Sequence, residues 1–334
     1  VQHLKYKVLR EVIKKADRDD LENVYTDVPK KVIPGPKASM RCCIYKERAI
    51  VQERIKMALG GDKKNPNVVE VIDIACDECP SSGYEVTRDC RGCLAHRCKR
   101  ACPRDAITFD EKQHAVIDKS KCINCGLCAK ACPYSAIKNR VRPCMVACKV
   151  NAISANPDGS AKIDDNKCIS CGQCVYQCPF GAITDRSSIV QIIEEIKNPD
   201  NHVYAIVAPA IGSQFDYAKT NQVVTGIKRL GFYKVIETAL GADMVAYSET
   251  QELVEKGFLT SSCCPAFVSY IKQAFPEIEG HISHNLSPMA EISKYLKEKE
   301  PTCKVVFIGP CTAKKLEISY DTVSPYVDSA ITFE

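Results

Sequence analysis

Two cysteine runs of identical spacing constrain this chain more than any other feature of its sequence. Each run reads C-x2-C-x2-C-x3-C-P; the first begins at Cys122 and the second at Cys168. This spacing places three thiolates around one face of a 4Fe–4S cluster and directs the fourth thiolate to a neighbouring cluster. Sixteen of the 22 cysteines lie between Cys76 and Cys178. The sequence therefore predicts a protein that carries electrons.

An internal repeat accounts for most of these cysteines. A shift of 46 residues superimposes Cys98 on Cys144 and the whole first run on the second. The Ala-Ile dipeptides and the I-D-x-x-K-C segments between the cysteines superimpose as well. Each unit has the layout of a bacterial ferredoxin that binds two clusters. Residues 71–185 are therefore predicted to be two such modules in tandem.

The repeat predicts three complete sets of cluster ligands and one incomplete set. The three sets are Cys90, Cys93, Cys98 and Cys132; Cys102, Cys122, Cys125 and Cys128; and Cys148, Cys168, Cys171 and Cys174. The fourth set has only Cys144 and Cys178, because the two positions that match the start of the first set are not cysteine. Cys76 and Cys79 remain, and we expect them to complete it. Four 4Fe–4S clusters are thus predicted, and three at the least.

Two other arrangements of these cysteines are compatible with the spacing. One is a zinc site formed by the two C-x2-C pairs that begin at Cys76 and Cys90, since paired C-x2-C spacing suits structural zinc. The other exchanges Cys132 and Cys178 between the two units. The sequence leaves both arrangements open.

Composition and charge restrict the compartment and the partners. The 334 residues contain no apolar run long enough to span a membrane and no secretory leader at the start. Cysteines at metal-ligand spacing indicate a reducing cytoplasm, and exposed clusters indicate an anaerobic bacterium. Four clusters, each about −2 with its thiolates, would bring the formal charge from +5 to about −3. The basic residues among the cysteines therefore offset cluster charge, and no nucleic acid or membrane partner is expected.

Residues 1–70 are charged and are predicted to form a helix-rich N-terminal segment. The stretch AIVQERIKMALGG has apolar residues at helical spacing and ends on a glycine pair suited to a helix C-terminus. Cys42 and Cys43 precede this stretch. Adjacent cysteines seldom bind one cluster together, so buried or incidental thiols are the favoured interpretation.

Residues 186–334 change from cysteine-rich loops to alternating strand and helix patterns. This alternation predicts an α/β domain with a largely parallel sheet. The predicted strands are 203–210, 233–239 and 304–310, and the predicted helices are 225–232 and 242–256. The motifs TSSCCPAF and IGPCTAKK are predicted at strand ends, where open α/β sheets bind ligands. Alone, each motif would more often mark a buried cysteine near a proline turn.

The two motifs follow an array of predicted cluster sites in the chain. This combination resembles the iron-only (FeFe) hydrogenases, and the resemblance covers roughly residues 70–334. The tandem clusters and the segment RCCIYKERA resemble group B of that family more than group A. The implied fold is a multidomain α+β and α/β chain, with tandem ferredoxin-like modules before the first part of the hydrogenase catalytic domain. The implied cofactor is the H-cluster, a 4Fe–4S cubane bridged by cysteine to a diiron unit that carries CO, cyanide and a dithiolate amine.

The resemblance also implies roles for individual residues. Cys264 and Cys311 would ligate the cubane, and Cys263 would exchange protons with the bridging amine. Lys314 would donate a hydrogen bond to a cyanide, while Ala208 and Pro209 would line the diiron pocket. A chain of proton carriers, formed by Glu249, Glu252 and Ser283, would lead to Cys263; without the resemblance, the two glutamates would be assigned to a solvated helix face.

The sequence departs from the group A pattern at several positions. Gly309 replaces Met, Met289 replaces Gln, and Ala210 replaces Ser, so the surroundings of cyanide and CO differ in bulk and in hydrogen bonding. The third active-site motif is expected beyond residue 334, and Cys303 suits neither of its ligand roles. The sequence therefore predicts the N-terminal part of a longer enzyme.

The expected activity is the reversible reduction of protons to H2. The expected partners are a soluble electron carrier such as ferredoxin and the hydrogenase maturation proteins. Two alternatives remain open: a hydrogenase-related iron–sulfur carrier or assembly protein without hydrogen chemistry, and a hydrogen sensor with a slow active site. A complete proton path, from Glu252 to Cys263, argues against the first alternative.

Overall fold

The N-terminal part is a three-helix unit. The structure, a computed structural model, describes residues 1–80, 82–215 and 217–333. Its first helices are α1 (Gln2–Asp17), α2 (Val24–Val32) and α3 (Ile44–Ala58). Val12, Val28 and Ile55 lie in the core that the three helices share, because each helix has its buried apolar residues on one face. As expected, a glycine pair follows the end of α3, and Gly60 and Gly61 both have positive φ.

A buried carboxylate stabilises this unit electrostatically. Glu11 is 5% exposed, and its carboxylate lies 2.5 Å from Lys31 Nζ and 3.3 Å from Lys14 Nζ. The hydrogen bond from Lys31 lowers the pKa of Glu11 to about 2, although burial opposes this change. Because the pKa falls on folding, the stabilisation is complete above the ordinary value of 4.5 and is lost as the pH falls towards 2.

We predict that Glu11→Gln destabilises the three-helix unit by about 1–2 kcal/mol at pH 7, because the cations on α1 and α2 lose their buried partner. Amide hydrogen exchange in α1 should then accelerate about 5- to 30-fold when measured by mass spectrometry. The exposed Glu22 is the matched control, and Glu22→Gln should leave the exchange unchanged. Equal exchange in the two variants would show that the Glu11 ion pairs contribute nothing.

The cysteine-rich part consists of short strands and helices around the cysteine loops. In chain order they are β1 (Val69–Val71), β2 (Gly83–Val86), α4 (Arg97–Arg100), β3 (Ile107–Phe109), β4 (Ala115–Ile117), α5 (Leu127–Ala131), β5 (Ile137–Arg140), α6 (Pro143–Ala147), β6 (Ile153–Ala155), β7 (Ala161–Ile163), α7 (Gln173–Gln177) and β8 (Ile183–Asp185). The hairpin β6–β7 and helix α7 repeat β3–β4 and α5 at an offset of 46 residues. The backbone repeats as well, with φ of +78° at Gly126 and +77° at Gly172.

The two modules are nested rather than strictly in tandem. Strand β2 pairs antiparallel with β5, and β1 pairs antiparallel with β8. Because β1 precedes the first module and β8 follows it, residues 82–140 are inserted into the second module. The second module therefore consists of residues 68–80 and 141–185. This differs from the sequential arrangement that the 46-residue repeat suggested.

The third part is an α/β domain. Its elements are α8 (Ile189–Lys197), β9 (Val203–Val207), α9 (Ile211–Gln214), α10 (Thr220–Arg229), β10 (Lys234–Glu237), α11 (Ala239–Lys256), α12 (Pro265–Ala274), α13 (Pro288–Lys299), β11 (Lys304–Gly309), α14 (Thr312–Glu317) and β12 (Ser329–Thr332). The strand order is β10-β9-β11-β12, and all pairs are parallel, which confirms the predicted sheet. Strand β9 ends at Val207, earlier than predicted, because the turn at Pro209 follows. Helix α10 begins five residues before the predicted helix and ends three residues before its predicted end.

Alternate residues of the central strands form the two halves of the core. Ile206 and Phe307 pack with Met289 and Ile292 of α13 on one face of the sheet. Ala205 and Val306 face the other side and pack towards α8 and α10. The sheet is therefore covered on both faces, which explains why β9 is buried throughout. No helix within the described ranges is both long and apolar enough to cross a membrane.

Candidate iron–sulfur sites and active site

The first predicted ligand set surrounds one cavity in the first module. Its lining includes all four cysteines of the set: Cys90, Cys93, Cys98 and Cys132. Phe109 and Ile137 cover the cavity, and the Ala115 amide donates a hydrogen bond to Cys90 Sγ at 3.4 Å. Four thiolates in an apolar shell, with a backbone N–H directed at sulfur, suit a 4Fe–4S cluster.

The second predicted set surrounds the neighbouring cavity of the same module. That cavity is lined by Cys102, Cys122, Cys125 and Cys128. The Ala106 amide donates to Cys102 Sγ at 3.3 Å. Asn124 lies in the left-handed region at φ +55°, which turns the chain sharply inside the cysteine run. Cys98 lies within α4 and Cys102 follows two residues after its end, so one short helix connects the two cavities.

The third predicted set lies against the α/β domain. Cys148, Cys168, Cys171 and Cys174 line a cavity together with Ala266, Phe267 and Tyr270 of α12. Amides of residues 152 and 170 donate to the Cys148 and Cys168 sulfurs at 3.1 and 3.4 Å. Burial, followed by the nearby thiols, raises the pKa of Cys174 to about 12. Ionisation of this half-buried thiol therefore needs a cationic partner, and cluster iron fits this requirement.

The loops of Cys171 and Cys311 touch each other directly. A Cβ atom built on Gly172 would lie 2.5 Å from Thr312 Oγ1, so only glycine permits this approach. Gly172 also has φ +77°, which favours glycine for a second reason. The third cavity is thus next to the loop that carries one of the predicted active-site cysteines.

The remaining cysteines divide into one buried group and several separate thiols. Cys76, Cys144 and Cys178 pack within the same hydrophobic cluster, and Cys79 lies near them. Cys42 and Cys43 are both exposed, so of the two interpretations, buried or incidental thiols, the first does not hold. Cys303 is buried immediately before β11. Within the described ranges, no three His, Cys, Asp or Glu side chains are arranged to hold a single metal ion.

The predicted active-site cysteines precede two helices that pack against each other. Cys264 is the N-cap of α12 and Cys311 is the N-cap of α14. Cys311 follows the end of β11, as predicted. Cys264 does not follow a strand of the sheet; its loop begins at an isolated bridge between Thr260 and Ile282, which corrects the prediction for TSSCCPAF. The adjacent Cys263 is exposed.

Glu249 is connected to the Cys263 loop by hydrogen bonds. Ser261 Oγ donates to Glu249 Oε1 at 2.9 Å and accepts from the Cys263 amide at 3.3 Å. The Ser262 amide also donates to Glu249 Oε1, at 3.4 Å. This carboxylate is therefore fixed against the loop that carries Cys263, the residue that the resemblance assigned to proton exchange. Ser261 was not predicted, although its position two residues before Cys263 was a usable signal.

Glu252 lies one turn further along α11 and binds Ser283. Ser283 Oγ and Asn285 Nδ2 each donate to Glu252 Oε2 at 3.0 Å, and Lys256 Nζ donates to Oε1 at 2.7 Å. Burial acts to raise the pKa of Glu252, but the hydrogen bonds from Lys256 and Ser283 outweigh it and lower the pKa. His284 also contacts this carboxylate at the surface. Glu252 therefore has the character of an ionised proton acceptor at neutral pH.

The two carboxylates are connected through Asn285 rather than by a direct bond. Asn285 Nδ2 donates to Ser283 Oγ at 3.0 Å, and Ser262 Oγ donates to the Asn285 carbonyl at 2.6 Å. Within the described ranges, no hydrogen bond joins Ser283 to Glu249. The structure thus brings Glu249, Glu252, Ser283 and Cys263 to one region, with Asn285 as a connecting residue that the sequence did not predict.

Lys314 forms a buried pair with an acidic residue of its own helix. Its Nζ lies 2.5 Å from Glu317 Oε2, and both side chains are almost fully buried. Neither atom makes a hydrogen bond of suitable geometry within the described ranges. An ammonium group left in this condition can donate to an anionic ligand. Glu317 was not predicted, although an acidic residue three positions after a lysine on a helix is a recognisable pairing signal.

The positions that depart from the group A pattern are close to one another. Ala208 and Met289 belong to the same buried cluster as Phe307, while Pro209 and Ala210 are exposed in the turn after β9. A Cβ atom at Gly309 would lie 2.5 Å from two carbons of the Phe307 ring and 3.1 Å from Ala208 Cβ. The Phe307 ring therefore fills the volume that a side chain at position 309 would need.

We predict that Gly309→Ala destabilises the α/β domain by about 1–3 kcal/mol through overpacking against Phe307. Thermal unfolding followed by circular dichroism should show the lower midpoint. A second change, Phe307→Leu, should restore part of the loss in the double variant because it removes the colliding ring atoms. Gly212→Ala is the control, since nothing lies within 4 Å of a Cβ atom there. Equal midpoints for the two glycine variants would contradict the steric explanation.

Comparison with known proteins gives the same division of the chain. Residues 201–334 match the family model described as the iron only hydrogenase large subunit, C-terminal domain. Residues 89–136 match a 4Fe–4S dicluster domain, and residues 161–184 match a 4Fe–4S binding domain. The matches leave four cysteines of the array, Cys76, Cys79, Cys144 and Cys148, outside every family model.

Two hydrogenases are among the proteins to which this chain is similar. Iron hydrogenase 1 of Clostridium pasteurianum is 29% identical over 240 residues, which cover 64% of this chain and 41% of the relative. The periplasmic [Fe] hydrogenase large subunit of Nitratidesulfovibrio vulgaris is 31% identical over 235 residues, covering 62% and 52%. The chain thus spans about half or less of the length of these relatives. One of the two is periplasmic by name, so the compartment of this chain stays a prediction.

The fold and the cysteine sites define an iron–sulfur electron-transfer protein. The hydrogenase domain match and the two hydrogenase relatives make the class more specific. The chain is an iron-only hydrogenase-like protein with accessory iron–sulfur cluster domains.

Proposed function

We propose that this chain forms the electron-transfer and proton-transfer part of an iron-only hydrogenase of the group B type. The reaction is 2H⁺ + 2e⁻ ⇌ H2, in which two protons and two electrons form one molecule. The observation that carries the proposal is the hydrogen-bonded region from Glu252 to Cys263. A relay of carboxylates and hydroxyls that ends beside two cluster-type cysteines has a clear use in a reaction that consumes protons.

The residues around Cys263 fit the H-cluster in donor type and in charge. Cys264 and Cys311 would hold the cubane, and Ala208 and Pro209 would line the pocket of the diiron unit. Buried Lys314, whose ammonium lies 2.5 Å from Glu317 but makes no hydrogen bond of suitable geometry within the described residues, would donate to a cyanide. When bound, the diiron unit supplies the metal centre of the hydrogen chemistry, and the chain supplies protons, electrons and a fixed geometry.

Proton delivery would follow the hydrogen bonds of α11 and its neighbouring loops. Glu252 would take a proton at the surface beside Lys256 and His284 and pass it to Ser283. The Ser262 hydroxyl donates to the Asn285 carbonyl, and the Ser262 amide donates to Glu249, which also accepts from Ser261 Oγ. Ser261 Oγ accepts from the backbone amide of Cys263, so the last transfer to the thiol needs a rotation of the Ser261 hydroxyl or a bridging water. The step between Ser283 and Glu249 needs a side-chain rotation or a bridging water, because no direct bond joins them.

Electrons would reach the active site through the cluster of the third ligand set. Its loop contacts Thr312, the residue after Cys311, and its cavity is bounded by α12, which Cys264 precedes. The proposed electron donor is a small low-potential carrier such as a ferredoxin. Hydrogenase maturation proteins would supply the diiron unit.

Infrared absorption of the anaerobic protein, loaded with a synthetic diiron precursor, tests the proposal. We expect sharp bands from CO and cyanide bound to metal, together with hydrogen evolution from a chemically reduced low-potential donor. Lys314→Met should shift the cyanide bands while the CO bands move less. Protein with full cluster iron, no bands and no hydrogen evolution would refute the proposal.

A second candidate function is iron–sulfur cluster carriage or assembly without hydrogen chemistry. The observation in its favour is similarity to a protein named as a cytosolic Fe–S cluster assembly factor, from Kluyveromyces lactis. The two are 39% identical over 77 residues, which cover 23% of this chain and 16% of that protein. Transfer of cluster iron to an apo-ferredoxin acceptor, in the absence of hydrogen evolution, would favour this candidate.

A further inference from the structure

The segment before the first module occupies the position that the second module lacks. In the first module, the Thr87 amide donates to the Ala136 carbonyl at 2.7 Å, three residues before Cys90. In the second module, the Ile72 amide donates to the Ala182 carbonyl at 2.7 Å, four residues before Cys76. The acceptors are 46 residues apart, so the two bonds are equivalent. Cys76 and Cys79 thus lie at the same place in the second module as Cys90 and Cys93 do in the first.

The four remaining cysteines of the array are close together in the second module. Cys76 and Cys144 are each 5% exposed and belong to one hydrophobic cluster, which Cys178 borders. Cys144 is also close enough to Cys178, Cys79 and Cys76 for a charge on any of them to act on its thiol. Cys144 and Cys178 are the repeat equivalents of Cys98 and Cys132, which line the first cavity. The same four positions are therefore filled by cysteine in both modules.

Within the part of the chain that the structure describes, two buried arginines lie beside these thiols without an acidic partner. Arg54 of α3 is 6% exposed and donates to the Phe180 carbonyl at 3.3 Å, but its Nε and Nη1 have no partner. Arg142 is 2% exposed and donates to the Pro80 carbonyl at 3.1 Å, and its Nη1 has no partner. Phe180 and Pro80 follow Cys178 and Cys79 closely in the chain. Two buried cations with free N–H groups require an anion nearby.

We propose that Cys76, Cys79, Cys144 and Cys178 bind a fourth 4Fe–4S cluster, and that Arg54 and Arg142 raise its reduction potential above those of the other three. An oxidised cluster with four thiolates carries about −2, and the gain of one electron brings it to about −3. Buried positive charge favours the more negative form, because the interior screens it weakly. This inference concerns cluster binding and stands apart from the hydrogen chemistry.

The other three cavities have basic residues that are exposed instead. Arg91 lines the first cavity, Arg104 the second and Lys149 the third, and all three are exposed. Water and salt screen such charges strongly, so their effect on a cluster is small. The contrast between buried and exposed cations is the reason to expect that the fourth cluster is reduced first.

The alternative zinc site is disfavoured by the same arrangement. It would need the pair that begins at Cys90, and that pair lines the first cavity together with Cys98 and Cys132. The exchange of Cys132 and Cys178 is disfavoured too, because Cys178 lies near Cys144 and Cys79. Each module therefore keeps its own ligands.

Metal content of the anaerobically matured protein tests the ligand set. Cys79→Ala should lower iron by about four atoms per chain relative to the unmutated protein, without release of zinc. A double variant of the exposed pair, Cys42→Ala with Cys43→Ala, is the control and should keep all the iron. Unchanged iron in Cys79→Ala, or loss of one zinc atom, would overturn the fourth cluster.

Redox titration followed by electron paramagnetic resonance tests the role of the arginines. In the unmutated protein, the signal that appears at the highest potential should be lost in Cys79→Ala. Arg142→Gln should raise the oxidised-to-reduced ratio of that cluster about tenfold at a fixed potential, equivalent to about 59 mV for one electron. Arg54→Gln should act in the same direction, and Arg54→Lys should retain most of the unmutated potential.

Arg91→Gln is the matched control for the titration, because Arg91 lines the first cavity but is exposed. It should leave all four potentials unchanged. If Arg142→Gln and Arg54→Gln bind full iron and leave the highest potential unmoved, the electrostatic part of the proposal is wrong. Two independent arginines keep the test decisive even where one variant fails to fold.

Discussion

Replacement of Cys263 with serine should lower hydrogen evolution by at least about 100-fold and leave the iron content unchanged. A serine hydroxyl is far less acidic than a thiol, so it cannot release and regain a proton at neutral pH with similar ease. Cys263 is exposed and its amide is fixed by Ser261, so serine fits the site sterically. Initial rates with a chemically reduced donor, together with iron analysis of the same sample, measure both expectations.

The control for this variant is Cys42→Ser, which changes an exposed thiol outside the proposed proton path. Its rate should equal that of the unmutated protein. Loss of iron in Cys263→Ser would mean that Cys263 is a cluster ligand. An unchanged rate would mean that protons reach the active site by another route. The roles proposed for Glu249 and Ser261 would then be wrong as well.

The cluster loops were predictable because their structure is determined by local spacing. Four cysteines within eleven residues restrict the backbone so strongly that the turn at Asn124 and the helix after Gly126 follow from the motif. The 46-residue offset then extends this interpretation to the second module. Sequence therefore predicted the contents of the first three cavities without any knowledge of long-range pairing.

The nested topology was not predictable from the same signals. Strands β1 and β8 are three residues each and are separated by more than 100 residues, so no local pattern indicates that Val71 pairs with Ile183. The assignment of Cys76 and Cys79 depends on this pairing. For the same reason, the zinc alternative could be weighed only after the cysteine pairs had been located in space.

The active-site region shows a similar division between local and tertiary information. The family resemblance pointed to Glu249, Glu252 and Ser283; Glu249 bonds to the loop of Cys263, and Ser283 bonds to Glu252. The connecting residues Ser261 and Asn285 depend on how two loops approach α11, which the sequence does not reveal. The packing of the Phe307 ring beside Gly309 is local by contrast, since both residues lie on β11 and residues i and i+2 of a strand share one face.

Lys315→Met should destabilise the contact between the cluster modules and the α/β domain by about 3 kcal/mol. Lys315 Nζ on α14 lies 2.6 Å from Asp185 Oδ2 at the end of β8 and donates to the Arg186 carbonyl at 3.0 Å. Burial acts to raise the pKa of Asp185, and the charge and hydrogen bond of Lys315 outweigh it and lower the pKa. Removal of the lysine leaves a buried carboxylate without its main partner, which costs more than the pair itself contributes.

Hydrogen exchange in α14 and β8 measures this loss locally, and a change of about 3 kcal/mol corresponds to more than 100-fold faster exchange where opening is local. Lys272→Met is the control, because Lys272 pairs with Glu279 at 3.5 Å and both side chains are about half exposed. Exposed pairs contribute little, so its effect should stay within about 0.5 kcal/mol. Similar exchange in the two variants would show that the buried pair does not hold the domains together.

A double variant, Lys315→Met with Asp185→Asn, separates the charge effect from packing. If the unpaired carboxylate causes the loss, the double variant should recover at least half of it, because no buried charge remains. If the loss persists, the packing of the lysine side chain is responsible instead.

The position of this pair gives the result a functional meaning. Lys315 lies four residues after Cys311 and Asp185 lies seven after Cys178, so the pair fixes the loop of Cys311 against the module that carries the third cavity. A variant with a loosened contact should therefore keep its cluster iron and lose electron transfer to the active site.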